Sequence, residues 1–372
     1  MIDALNVVNG RLSMKRVLCI LSSLDAGGAE TFLMKVMRSL PAEEYQLDFI
    51  VSVADGCYTQ EVLKRGGKIY QIPQRKKDFF GAFRGIQKVV KESQYKAVLK
   101  LGENSLSVFD LIAAKWGGAK TLALRSCNAP TGLSLKARFL HSFFRPLLNA
   151  TTTVKLAPSK LAADFMFGTK ANVKLLNNGI DLNFFQFYPQ GRKQIREEFD
   201  LENKLVVGHV GRFHVQKNHR FLLEVFKEIH KQRKDAVLLL VGTGSFEQDI
   251  RKQIDELNLQ ECVIFAGQRF DIPNLLSAMD VFVFPSFHEG MPNTVIEAQA
   301  TGLPCVIADT ITRDADLTGL VHYLSLSDSS EFWATQALSL LSGQRENMSS
   351  VFSKKGYDIK DVAKELVELI SN

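Results

Sequence analysis

Short apolar runs alternate with longer amphipathic stretches along nearly the whole chain, and this alternation restricts the fold more than any other feature. Residues 17–22, 47–53, 68–72, 97–101, 121–125 and 173–176 read as strands of a first half. Residues 205–210, 236–241, 262–266, 281–284 and 304–308 read as strands of a second. Strands that are apolar at successive positions are covered on both faces, which calls for helices above and below a parallel sheet. Apolar spacing supports helices over residues 29–40, 220–231 and 361–370. At 372 residues the chain exceeds one usual hydrophobic core, so two α/β domains are expected, with residues 183–203 as the crossing.

Composition narrows the class. With 46% hydrophobic and 23% charged residues, the chain has the make-up of a soluble globular protein. No apolar run approaches a membrane span. The first thirteen residues lack the pattern of a signal peptide and read as an unstructured extension. Five cysteines show no metal-ligand spacing and cannot all pair, so free thiols in a reducing compartment are expected. Net charge is +12 over residues 14–170 and −6 over residues 171–372. The first half is therefore a candidate for an anionic surface, and no nucleic-acid motif accompanies it.

Chemistry concentrates in residues 284–304. Glu289 follows an apolar strand, and Glu297 lies eight positions on, on the next helix. Between them, Gly290-Met291-Pro292-Asn293-Thr294 has the residues of a helix start, with Asn293 and Thr294 as cap candidates. The amides there, to Val295, suit a phosphate. Carboxylates on either side of such a site can hold hydroxyls at both ends of a diphosphate. Gly211, Arg212 and Lys217 follow the strand 205–210, and two cations at that place can neutralise a departing diphosphate. Alone they would be solvated surface charges; with Asn218 capping the next helix they form a second half of the same site. Val241-Gly242-Thr243-Gly244 invites a dinucleotide reading, but Glu247 stands where a third glycine is needed, so an oxidoreductase is rejected.

Glu289-x7-Glu297, the Gly211-Arg212…Lys217-Asn218 loop, Gly27-Gly28-Ala29-Glu30 and Asn178-Gly179-Ile180-Asp181 together resemble the retaining GT-B-fold glycosyltransferases of family 4, in order from Met14 onward. That resemblance implies an α/β chain of two Rossmann-like parallel-sheet domains facing across a cleft. Residues 14–182 would bind the acceptor, with residues 353–372 packing back on them, and residues 183–352 would bind a nucleotide sugar. The implied reaction moves a hexose from a nucleotide diphosphate sugar, a UDP-sugar, to a saccharide acceptor on a lipid carrier in surface polysaccharide (capsule) assembly. No metal or cofactor beyond the co-substrate is implied, and the place of action is the cytoplasm, peripheral on the inner leaflet. Glu289 would contact the transferred sugar, Glu297 the ribose, and Arg212 and Lys217 the leaving phosphates. The base would rest near Gln268 and Arg269, with Gly242 close by.

Gly27 and Gly28 would lend amides to phosphate or acceptor, while Glu30 reads as structural. Many members carry a first-domain histidine near the reacting centre. Here Arg125, Cys127 and Asn128 occupy the corresponding region, and Glu103 and Asn104 are the nearest polar alternatives. His141 reads as a packing residue and His288 as a loop residue. Two other functions stay open at this point: an epimerase on the same fold, and a non-catalytic nucleotide-sugar-binding partner of another transferase. Residues 136–148 alternate Lys136, Arg138 and Arg145 with Phe139, Phe143 and Phe144, and residues 75–80 repeat the cation-plus-aromatic theme. Such a helix either buries its apolar face in the core or lies in a bilayer interface, and the positive first half favours the bilayer.

Overall fold

The computed structural model describes residues 7–8, 11–12, 14–25, 27–127, 134–341 and 344–371. The chain forms two compact units, Met1–Gly179 with Gly356–Asn372, and Ile180–Lys355.

In the first unit, Val7–Val8 pairs antiparallel with Arg11–Leu12, where the sequence suggests an extension without structure. The main sheet has seven parallel strands: β1 Lys15–Ile20, β2 Tyr45–Val51, β3 Ile69–Gln71, β4 Ala97–Gly102, β5 Thr121–Ser126, β6 Val154–Ala157 and β7 Lys174–Leu175, in the order β3-β2-β1-β4-β5-β6-β7. β6 was not expected, and β7 shrinks to two exposed edge residues. One face packs on α1 (Gly28–Ser39) and the C-terminal helix (Ile359–Ser371), joining Leu33 and Val36 to Val362, Leu366 and Ile370. The other face carries α2 (Phe79–Glu92) and α3 (Val108–Trp116), through Ile86, Val90, Leu111 and Ala114. A fourth helix, α4 (Leu135–Thr151), is N-capped by Ser134 and buries only His141, Leu148 and Thr151.

The second unit has six parallel strands: β8 Leu205–Val210, β9 Ala236–Val241, β10 Val263–Gly267, β11 Val281–Phe284, β12 Cys305–Ala308 and β13 Val321–Leu324, in the order β10-β9-β8-β11-β12-β13. β8, β9, β11 and β12 are buried along their whole length, which is why they read as unbroken apolar runs. Helices α5 (His219–Gln232) and α6 (Asn293–Ala300) follow β8 and β11. The crossing segment contains a helix, Pro189–Glu198, with proline in its first turn. Asp280 anchors that helix, accepting from Arg192 and Arg196 at 2.7 Å each, and from the Val206 amide at 2.8 Å.

Strand order reverses between β1 and β4 in one sheet and between β8 and β11 in the other. Ligands of doubly wound sheets bind at such switch points, outside the carboxyl ends of the strands.

Candidate functional site

In the second unit the two loops flanking the switch point, after β8 and after β11, are zipped together. The Phe287 amide donates to the Gln216 carbonyl at 2.9 Å, and Gln216 Nε2 donates to the His288 carbonyl at 2.8 Å. Lys217 Nζ then reaches Glu289 Oε1 at 2.7 Å, with the two side chains 17% and 13% exposed. The same ammonium lies 4.4 Å from the centroid of the Phe284 ring, whose face favours a cation. Two residues read separately from the sequence are thus one ion pair. His288 is exposed in the loop after β11, and Arg212 is exposed in the loop after β8.

Gly242 explains the turn of the first loop. Its φ is +137°, and a Cβ there would collide with the carbonyl oxygen of Gly211. Gly244 lies equally close to the Phe213 backbone. The Gly-x-Gly pair therefore lets the loop after β9 support the loop after β8. Asn218 precedes α5 in the left-handed conformation (φ 53°), but its side chain makes no capping bond, contrary to expectation.

Past Glu289, Gly290 is exposed and Met291 half-buried. Pro292 takes the cap position of α6, so Asn293 and Thr294 are its first helical residues rather than its caps. The amides of Val295 and Ile296 return to the Pro292 carbonyl at 3.0 and 3.2 Å. Glu297 is half-buried one turn along. Buried Gln299 fixes the helix, donating to Ala315 O at 2.8 Å and accepting from Leu317 N at 2.9 Å. Gln268 is exposed after β10. Arg269 follows Gln268 at the place where the sequence puts the base. Its guanidinium is committed to Asp271 (2.8 Å on both nitrogens) and to Glu198 (2.5 Å), clasping this loop to the helix Pro189–Glu198.

Beneath the zipped loops lies a buried aromatic layer. His209, at the end of β8, stacks on Phe282 and Phe284 and meets the edge of His219 at 4.9 Å. Its Nδ1 bonds the Val283 carbonyl at 2.9 Å, which places the proton on Nδ1. Among the buried described atoms that lack a hydrogen-bond partner, His209 Nε2 and His219 Nε2 are in this layer. Burial, aided by the Lys217 charge, pushes the His219 pKa from 6.5 down to about 4. Burial likewise holds His209 well below the ordinary range. A histidine with a depressed folded pKa stabilises the fold fully above its unfolded pKa, and that contribution is lost as pH falls through the folded value. Stability should therefore decline between pH 6.5 and about 4, with His219 responsible for about 3 kcal/mol of the loss. Melting temperature against pH checks this: His219→Phe should flatten the decline, and an unchanged slope would contradict the assignment.

In the first unit a cavity of about 610 Å³ opens at the switch point between β1 and β4. Glu30, Arg75, Lys100, Glu103, Asn104 and Cys127 are among the residues that line it. Lys100, an apparent polar interruption of β4, pairs with Asp110 at 3.2 Å; Arg75 binds the same carboxylate. Asn104 caps the following turn through the Leu106 amide at 3.0 Å. Glu30, read as structural, faces the cavity, and burial raises its pKa, with help from Glu103 and Asp25. Its carboxylate leans over Gly27, where a Cβ would strike it. Gly28 opens α1 with clear space around it. Burial pushes the Cys127 thiol up to about 11, so it is no base at neutral pH. Asn128 lies outside the described residues. Arg125 is turned into the core, 3.9 Å over the Phe32 ring and donating to Asn178 Oδ1 at 2.7 Å. His141 is also structural: Nδ1 accepts from the Ser105 amide at 3.0 Å and Nε2 donates to the Phe165 carbonyl at 2.9 Å.

Among the described residues no group of three or more His, Cys, Asp or Glu could hold a metal ion, and no helix is long and apolar enough to cross a membrane.

Residues 204–342 match the profile of the family described as glycosyl transferases group 1. Bacillus subtilis (strain 168) has a relative named as a glycosyltransferase, EpsF, which is 35% identical over 361 residues, covering 93% of this chain and 94% of EpsF. A UDP-Gal:alpha-D-GlcNAc-diphosphoundecaprenol alpha-1,3-galactosyltransferase of Escherichia coli is 38% identical over 143 residues, 37% of this chain and 36% of that protein. Solved structures include Anabaena Alr3699/HepE in complex with UDP, at TM-score 0.78 and 20% identity, covering 96% of this chain and 100% of the other. WaaG, a glycosyltransferase involved in lipopolysaccharide biosynthesis, has TM-score 0.68 at 16% identity over 96% of this chain and 100% of WaaG. At those identities the likeness establishes the fold, that of GT-B glycosyltransferases with two Rossmann-like sheets. The likeness to EpsF runs almost end to end at a higher identity, and on that ground the chain belongs to the glycosyl transferases group 1 family and is a glycosyltransferase.

Proposed function

We propose that the chain transfers a hexose from a UDP-sugar to a saccharide carried on a lipid, with retention at the anomeric carbon and without a metal, as a family 4 enzyme of surface polysaccharide assembly. The observation that carries this reading is the Lys217–Glu289 pair at the second unit's switch point, one turn ahead of the α6 N-terminus. The diphosphate competes for the Lys217 ammonium, with Arg212 as a second cation and the Asn293 and Thr294 amides opening α6 as its anion-binding end. Glu289, released from its cation, then accepts hydrogen bonds from the sugar, and Glu297 holds the ribose. The first unit's cavity receives the acceptor, whose hydroxyl passes its proton to the departing phosphate. Transfer to a diphosphoundecaprenol-linked sugar is what the Escherichia coli relative is named for, which supports the lipid-linked acceptor.

Incubating the protein with a panel of UDP-hexoses and a lipid extract, and assaying released UDP, tests the reading. One donor should give UDP release that depends on the extract and persists in EDTA, and the product should keep the donor's anomeric configuration by NMR. No release with any donor would favour a non-catalytic binder. Conversion of the donor without an acceptor would favour an epimerase.

A further inference from the structure

The two cation-and-aromatic segments, far apart in sequence, meet on the surface of the first unit. On α4, Leu135, Phe139, Phe143 and Leu147 recur every fourth residue and are 83%, 68%, 65% and 43% exposed. The helix therefore turns this stripe outward rather than into the core. Phe139 stacks on Phe143, whose ring meets Phe144 at 5.1 Å. Phe144 meets Phe109 of α3 at 5.2 Å, and Phe109 meets Phe79 of α2 at 5.3 Å. From Phe79 the contacts continue to Phe80 (5.5 Å) and through Phe83 (6.5 Å) to Trp116 (5.3 Å from Phe83). One ribbon of rings thus crosses three helices, open at Phe139 at one end and at both branches of the other, where Phe80 is 71% and Trp116 65% exposed.

We propose that this ribbon is a docking face for an anionic lipid bilayer, lying in the headgroup region with its rings inserted. Charge decides between a bilayer and a protein partner. Lys136, Arg138, Arg84, Lys88 and Lys115 are exposed on the same three helices, where Glu92 is the single exposed carboxylate among the described residues and Asp110 is buried. The core of a protein interface is poor in lysine, whereas a bilayer surface takes aromatic rings at headgroup level and lysine and arginine around them. The physics of the face stands by itself; only its use, bringing the first-unit cavity to a lipid-borne acceptor, rests on the function proposed above.

Trp116 is a built-in reporter, since the chain's other tryptophan, Trp333, is fully buried. Emission of the full chain is followed with vesicles of phosphatidylcholine alone or mixed with phosphatidylglycerol, their acyl chains brominated. Quenching is expected on the anionic vesicles at low salt, weaker on the neutral ones, and absent in Trp116→Phe. The double variant Phe139→Ser/Phe143→Ser, checked for folding by circular dichroism, should partition at least about tenfold more weakly. It should still release UDP with a water-soluble acceptor, which separates loss of docking from loss of catalysis. Equal quenching in Trp116→Phe, undiminished partition of the double variant, or no binding to anionic vesicles would overturn the proposal. A dimer in sedimentation that the double variant abolishes would assign the face to a second copy instead.

Discussion

Lys217→Ala is expected to lower kcat/KM for the donor by a factor on the order of 10²–10³, the scale of removing one preorganised charge contact from a transition state. The loss should fall mainly on kcat, because charge on the departing diphosphate is greatest in the transition state. The substitution also touches stability, since it leaves Glu289 as a carboxylate only 13% exposed and without its 2.7 Å partner. A pair at a site mouth lies between a surface ion pair and a buried one, so a cost of about 1–3 kcal/mol is expected in chemical denaturation. Adding Glu289→Gln to Lys217→Ala removes the orphaned charge and should return part of that stability while activity stays low. Equal stability of the single and double variants would mean that the ion pair is not what orders these loops.

The second large effect is expected from the glycine on which the loop after β8 rests. Gly242→Ala forces an L side chain into φ +137° and drives its Cβ into the Gly211 carbonyl, which belongs to the backbone and has no rotamer to give way. Strain of that kind combined with a backbone clash costs about 2–4 kcal/mol. Because the displaced loop carries Arg212 and Lys217, donor affinity should fall along with the melting temperature. Gly28→Ala is the control: its added Cβ meets nothing within 4 Å, and it should melt within a degree or two of the parent. A normal melting temperature for Gly242→Ala would remove the loop-support role assigned to that glycine.

The fold was legible where physics leaves a clear sign in sequence. β8, β9, β11 and β12 are covered on both faces, so each appears as an apolar run. β6 and β13 escaped because half-exposed four-residue strands toward a sheet edge carry polar residues and no such run. At the site, the residue types of Lys217 and Glu289 were readable, whereas their pairing across 72 positions was not, since it depends on two loops meeting at a reversal of strand order. The commitment of the Arg269 guanidinium to Asp271 and Glu198 was not readable, since Glu198 lies 71 positions away and meets it only in the fold. Arg125 stands in the region where relatives carry a histidine, and only the fold reveals that it packs on Phe32. Glu30 was the converse: its glycine-rich surroundings suggested a turn, and the cavity it faces exists only after β1 and β4 lie side by side.

The central claim is that the second unit grips a diphosphate between Lys217 and the first turn of α6. A crystal structure of the protein with UDP tests it most directly. The account requires the β-phosphate within hydrogen-bonding distance of Lys217 Nζ and of the Asn293 or Thr294 amide, with the Lys217–Glu289 contact opened. Phosphates seated at any other loop, or a nucleotide bound while that ion pair stays closed, would contradict it.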